Sequence, residues 1–96
     1  MNREEAQHIL AREMEVFRSK SHSELVGLVG SPTVFSRIGP DGTEYQIEVE
    51  VVPDSPRHPQ GDMRVIGSID DGRLLSSIKP LTQDFIKTPA ERLLGE

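Results

Sequence analysis

Residues 43–52 read T-E-Y-Q-I-E-V-E-V-V, and the fold turns on how this run is read. Tyr45, Ile47, Val49 and Val51 alternate with Glu44, Gln46, Glu48 and Glu50, a strict period of two. Successive side chains of a strand point to opposite faces, so the run predicts a strand with one apolar and one acidic face. A strand that buries only one face belongs to an antiparallel sheet whose other side meets water. The Glu44, Glu48, Glu50 ladder then has two readings. It is either an ordinary solvated sheet face or a surface that docks a basic partner.

Working outward, T-V-F-S-R-I at 33–38 predicts another strand, joined to the first through the turn cluster G-P-D-G at 39–42. On the other side, P-D-S-P-R-H-P-Q-G at 53–61 carries three prolines and reads as a stiff loop outside the sheet. Next, M-R-V-I-G-S-I-D at 63–70 and R-L-L-S-S-I-K at 73–79 flank Asp71-Gly72. Asp-Gly suits a two-residue turn, and a hairpin there pairs Asp70 with Arg73, Ile69 with Leu74, Val65 with Ile78 and Met63 with Pro80. Gly67 meets Ser76 in mid-face, which leaves room for a helix. Arg64 falls beside Lys79, and Glu48 and Glu50 of the adjacent strand are expected to neutralise both. The rival reading makes Asp70 and Asp71 ligands, but D-D-G-R-L-L lacks the alternating oxygen donors of a calcium loop. The motif reads as a turn.

The N-terminal third is helical in pattern. Asn2 and Glu5 form a capping-box pair, and Ala6, Ile9, Leu10, Met14 and Phe17 recur on one stripe, predicting a helix over about 3–19. Ser21 and Glu24 repeat the box before Leu25, Val26, Leu28 and Val29, and Gly30 with Pro32 ends this second, short helix. At the other end, T-P-A-E at 88–91 and Gly95 predict a helix of about two turns. The expected fold is therefore α+β, one domain over residues 1–96. An antiparallel meander of about four strands (33–80) packs against the N-terminal helices (about 3–29), and a C-terminal segment follows at 81–96. The expected core is Ile9, Leu10, Phe17, Tyr45, Ile47, Val49, Val65, Ile69, Leu74 and Ile78, with Phe85 closing one end.

Composition narrows the function. Sixteen acidic residues against eleven basic give a net charge of −5, with no basic cluster, which disfavours nucleic acid and anionic membranes as partners. The absence of Cys excludes thiolate metal sites and cysteine nucleophiles and favours a reducing cytoplasm. No leader-like apolar region opens the chain, and no apolar run approaches the ~20 residues of a membrane span. His8, His22 and His58 are scattered, so no helical metal pair exists, and His8 and His22 read as surface residues. His58 stands near Asp54 and Asp62 in the proline-rich loop. Those three could form a polar site for acid–base work or a small ligand, or could simply be solvated. No nucleophile elbow or phosphate-binding glycine loop is present.

Three stretches together carry a resemblance: Y-Q-I-E-V-E-V at 45–51, G-S-I-D-D-G at 67–72 and P-L-T-Q-D-F-I-K at 80–87. From about Leu25 to Lys87 the chain is similar to a group of small uncharacterised bacterial proteins with a tyrosine-led strand, this hairpin motif and a following D-F-I stretch. The resemblance implies no reaction and carries over no functional residue. This chain differs in having L-L-S-S-I where relatives place bulkier aromatics. The expected function is thus a non-enzymatic protein-binding module, immunity-like or accessory, needing no cofactor or metal and acting on another protein. A small-ligand binder or enzyme using Asp54, His58 and Asp62 is the alternative. Whether the chain forms a homo-oligomer stays open.

Overall fold

A computed structural model of the chain describes residues 2–72 and 80–94. Two helices, α1 (Arg3–Arg18) and α2 (His22–Val26), precede strands β1 (Thr33–Ile38), β2 (Glu44–Pro53), β3 (Met63–Asp70), β4 (Leu81–Lys87) and β5 (Leu93–Leu94). The strands form one antiparallel sheet in the order β1-β2-β3-β4-β5, a meander, with α1 lying across β3 and β4. The expected α+β architecture holds, with five strands among the described residues where about four were anticipated.

Local chemistry sets each element. Asn2 Oδ1 accepts the Glu5 N–H at 3.0 Å, capping α1. Ser21 and Glu24 form both bonds of a capping box at the start of α2. The G-P-D-G cluster closes β1 onto β2. Gly42 N–H donates to Gly39 O at 2.9 Å, with Gly42 at φ 86, and Gly39 N–H donates to Thr43 O at 2.8 Å. This is a three-residue hairpin loop whose left-handed position falls on glycine.

The core lies between α1 and the inner sheet face. Tyr45, Ile47, Val49 and Val51 of β2 are buried, with Met63, Val65 and Ile69 of β3, Phe85 of β4, Leu25 of α2 and Ala6, Leu10, Met14 and Phe17 of α1. Gly67 admits the helix as expected. A Cβ there would run into Met14 Sδ and press Leu10 Cδ1 at 3.1 Å. Ile9 packs at the margin of the core rather than within it.

Two expectations are corrected. The partner of β3 is β4, with Met63 opposite Lys87, Val65 opposite Phe85 and Ile69 opposite Leu81, not a strand beginning directly after Gly72. Met63, Val65, Gly67 and Ile69 thus pair with Lys87, Phe85, Gln83 and Leu81 in place of the expected Pro80, Ile78, Ser76 and Leu74. Gly72 does take a positive φ, 73°, but Asp71 does not, so the mirror-image turn is not made. Instead Asp70 Oδ1 accepts the Gly72 N–H at 2.8 Å, a local side-chain turn just past the end of β3. The physical advantage of the observed register is Phe85, a large aromatic that it buries fully in the middle of the core. Arg73, Leu74, Ser76, Ile78 and Lys79 lie outside the described residues.

The second correction is at the C-terminus, where a turn and β5 replace the expected short helix. Glu91 N–H donates to Thr88 O at 2.9 Å, Thr88 N–H to Arg92 O at 2.9 Å and Arg92 N–H to Thr88 Oγ1 at 3.1 Å. Thr88 thus closes a hairpin rather than capping a helix. Gly95 lies outside the described residues.

Candidate functional site

Among the described residues no element covers the sheet face turned away from α1. Pairing aligns its side chains in rows: Ile38 with Glu44; Ser36, Gln46 and Asp70; Val34, Glu48, Ser68 and Thr82; Glu50, Ile66 and Asp84; and Val52, Arg64, Ile86 and Leu94. Glu44, Glu48 and Glu50 all lie on this face and all are exposed. Asp70 and Asp84 join them, making five carboxylates on one surface.

Arg64 is the one cation that the described strands present on this face, and it does not neutralise Glu48 and Glu50 as expected. Its Nε donates to Asp54 Oδ1 at 3.0 Å and its Nη1 to Asp84. Asp54 stands just past the end of β2 and Asp84 two strands from it, so the guanidinium fork is turned away from the middle of β2. The Asp54 bond, assisted by Asp84, holds the Arg64 pKa above its ordinary value and its charge in place. Lys79, the other expected counter-charge, lies outside the described residues. Alternate residues of a strand are ~7 Å apart, so Glu48 and Glu50 repel each other, and a cation between them would be attracted by both.

The loop 54–62 brings Asp54, His58 and Asp62 around a hollow of about 220 Å³, with Ser55 and Gly61. Asp54 N–H donates to Asp62 O at 2.8 Å and Gly61 N–H to His58 O at 2.9 Å, so backbone turns gather the three. The hollow is smaller than ordinary ligand pockets, and the Asp54 carboxylate is held by Arg64. Among the described residues no group of three His, Asp or Glu side chains is arranged to hold a metal ion. His22, expected at the surface, is half-buried beside this loop. Its Nε2 lies 2.6 Å from Gly61 O, which can only accept, so Nε2 carries the proton.

Sequence reasoning missed a further polar cluster, where the N-terminal turn of α1 meets the β1–β2 hairpin. Tyr45 is fully buried, and its hydroxyl has no hydrogen-bond partner. Glu5 does not complete its capping box; its carboxyl is pressed against Gly39, where a Cβ would collide with it. Loss of hydration, reinforced by the neighbouring Asp41 carboxylate, raises the Glu5 pKa. Asp41 is held below its usual range, chiefly by the Thr43 N–H at 3.0 Å. Burial pushes the Tyr45 phenol up, helped by Glu5, Asp41 and Asp71. No spacing in the sequence signals this cluster, because a helix terminus and a hairpin turn assemble it.

Compared with protein-family models, with curated proteins and with solved structures, the chain matches none. Among the described residues no helix is long and apolar enough to cross a membrane.

Proposed function

We propose that this chain is a non-enzymatic protein-binding module, immunity-like or accessory in role, whose open sheet face docks the basic surface of another protein. The observation that carries the reading is the charge on that face. Five carboxylates project from it, and its arginine is bound to Asp54 and Asp84, away from Glu44, Glu48 and Glu50. Such a face is soluble alone and becomes attractive when a cationic surface meets it, which sets orientation and association rate more than raw affinity. The cysteine-free composition supports a reducing, cytoplasmic setting.

The test is affinity capture from a bacterial lysate at ~0.15 M salt, using the wild-type chain beside Glu48→Lys/Glu50→Lys. The reading expects a basic protein retained by the wild type and lost from the charge-reversed form. Equal retention by both would refute it.

A further inference from the structure

The strand at the sheet's edge indicates how such a partner is held. Among the described residues β1 is paired on one side only, and its outward side chains Val34 and Ile38 are 63% and 71% exposed. The hairpin bond from Gly39 N–H to Thr43 O fixes which of its amides are used. Hydrogen-bonded and non-bonded pairs alternate along an antiparallel ladder, and Gly39–Thr43 is a bonded pair. The register then makes Arg37–Tyr45, Phe35–Ile47 and Thr33–Val49 bonded pairs as well. Thr33, Phe35 and Arg37 therefore spend their N–H and C=O groups on β2. Val34, Ser36 and Ile38 turn theirs to the other edge, where the Ser36 C=O accepts from Arg37 Nη1. T-V-F-S-R-I contains no proline, bulge or lysine, and its one charge, the inward-facing Arg37, takes up a single edge carbonyl, with Nη1 donating to Ser36 O at 2.9 Å.

The same three residues point their side chains onto the acidic face. Val34 stands beside Glu48 and Ile38 beside Glu44, with Ser36 between them beside Gln46. We infer that the partner contributes an extended segment that adds to β1 as a sixth strand, with two Lys or Arg residues four positions apart on the outer face. The stems of those residues lie over Val34 and Ile38. Their charged heads lean across β1 toward Glu48 and Glu44, whose backbone is ~10 Å from that of the segment, and the basic and acidic side chains span that gap together. Backbone bonds to Val34, Ile38 and the Ser36 N–H hold the segment, and the basic pair sets its register. The spacing is the same for parallel and antiparallel addition. The occupant is a basic segment rather than a second copy of this chain, because charge complementarity lies with the cation: two copies of net charge −5 repel.

This inference rests on the acidic face being the docking surface, and its test separates the two. The probe is the end-blocked peptide Thr-Val-Lys-Val-Ser-Val-Lys-Val-Thr, with a control in which both Lys are Glu. Amide exchange and chemical shifts of the full chain are followed by NMR. The expected result is that the Lys peptide slows exchange at Val34, Ser36 and Ile38 by at least about tenfold, while Thr33, Phe35 and Arg37 are unchanged. Ser36→Pro removes one outward N–H and no β1–β2 bond, and it should weaken the peptide by at least about tenfold, as should Glu44→Lys/Glu48→Lys. The control peptide should not bind. Shifts confined to the row of Glu50 and Asp84, without protection of β1, would overturn strand addition and leave the acidic face standing. No response to the Lys peptide anywhere on the sheet would overturn both. Protection of the same amides without peptide, rising with protein concentration, would assign the edge to a second copy and overturn the inference.

Discussion

Glu5 shows how a residue's local and tertiary roles can part. Three positions after Asn2 it satisfies the pattern of a capping box, yet its carboxyl is directed to Gly39 and Asp41. Its folded pKa is raised, so the folded state binds its proton more tightly than the unfolded chain does. The sign follows from linkage: the stabilising contribution is present below the ordinary value of 4.5 and is lost as pH rises through the higher folded value. Asp41 has the opposite sign, its lowered pKa stabilising the fold above its ordinary value of 3.8 and failing as pH falls through the folded one. Glu5→Gln removes the group that resists ionisation and supplies an amide donor for Asp41. Thermal melts across pH 4 to 8 should show the variant more stable than wild type at neutral pH, the gap closing towards pH 4. A gap that widens as pH falls would contradict this account.

Among the elements, β2 was legible in full, because its period of two needs no information beyond itself. The strand after β3 was not. R-L-L-S-S-I-K and L-T-Q-D-F-I-K are both strand-like, and Asp-Gly offers a turn to the nearer one. What separates them is the burial of Phe85 against Val65, a competition decided by the core and not by local propensity. The C-terminal T-P-A-E pattern failed for a related reason: a two-turn helix is marginal alone, and a hairpin onto β4 satisfies more of its backbone. Lys87 was likewise invisible. It is 7% exposed on the inner face of β4, and its Nζ donates to Arg18 O at 2.9 Å and Lys20 O at 2.7 Å, closing the C-terminal end of α1. Lys87→Met keeps the stem and strands both carbonyls, so denaturant titration should record a loss of about 1–3 kcal/mol. A loss below about 0.5 kcal/mol would mean that water replaces the ammonium without penalty.

For the molecule as a whole, the sequence disclosed the two layers and the acidic face, since both follow from the alternation of β2. The counter-charges of that face were misassigned because Arg64 has carboxylates within reach on two sides, and only the register β3–β4 brings Asp84 beside it. The surface reading predicts that Glu48 contributes to recognition and not to stability. Glu48→Lys should unfold within about 1 kcal/mol of wild type, since the side chain is exposed and desolvates nothing. Guanidinium and urea titrations check this, and a larger loss in urea would show the face to be covered.

The meander has a kinetic corollary. Every described strand pairs with its neighbour in the chain, so the sheet can zip up pair by pair with little loop-closure entropy at each step. The seat of α1, by contrast, exists only after Gly67 and Phe85 have come together, and its tether to Lys87 spans 69 positions of sequence. We expect helix docking to follow the rate-limiting step. The loss in Lys87→Met would then fall on the unfolding limb of a chevron plot, leaving the folding limb nearly unmoved. A matching slowdown in refolding would place the helix in the nucleus instead.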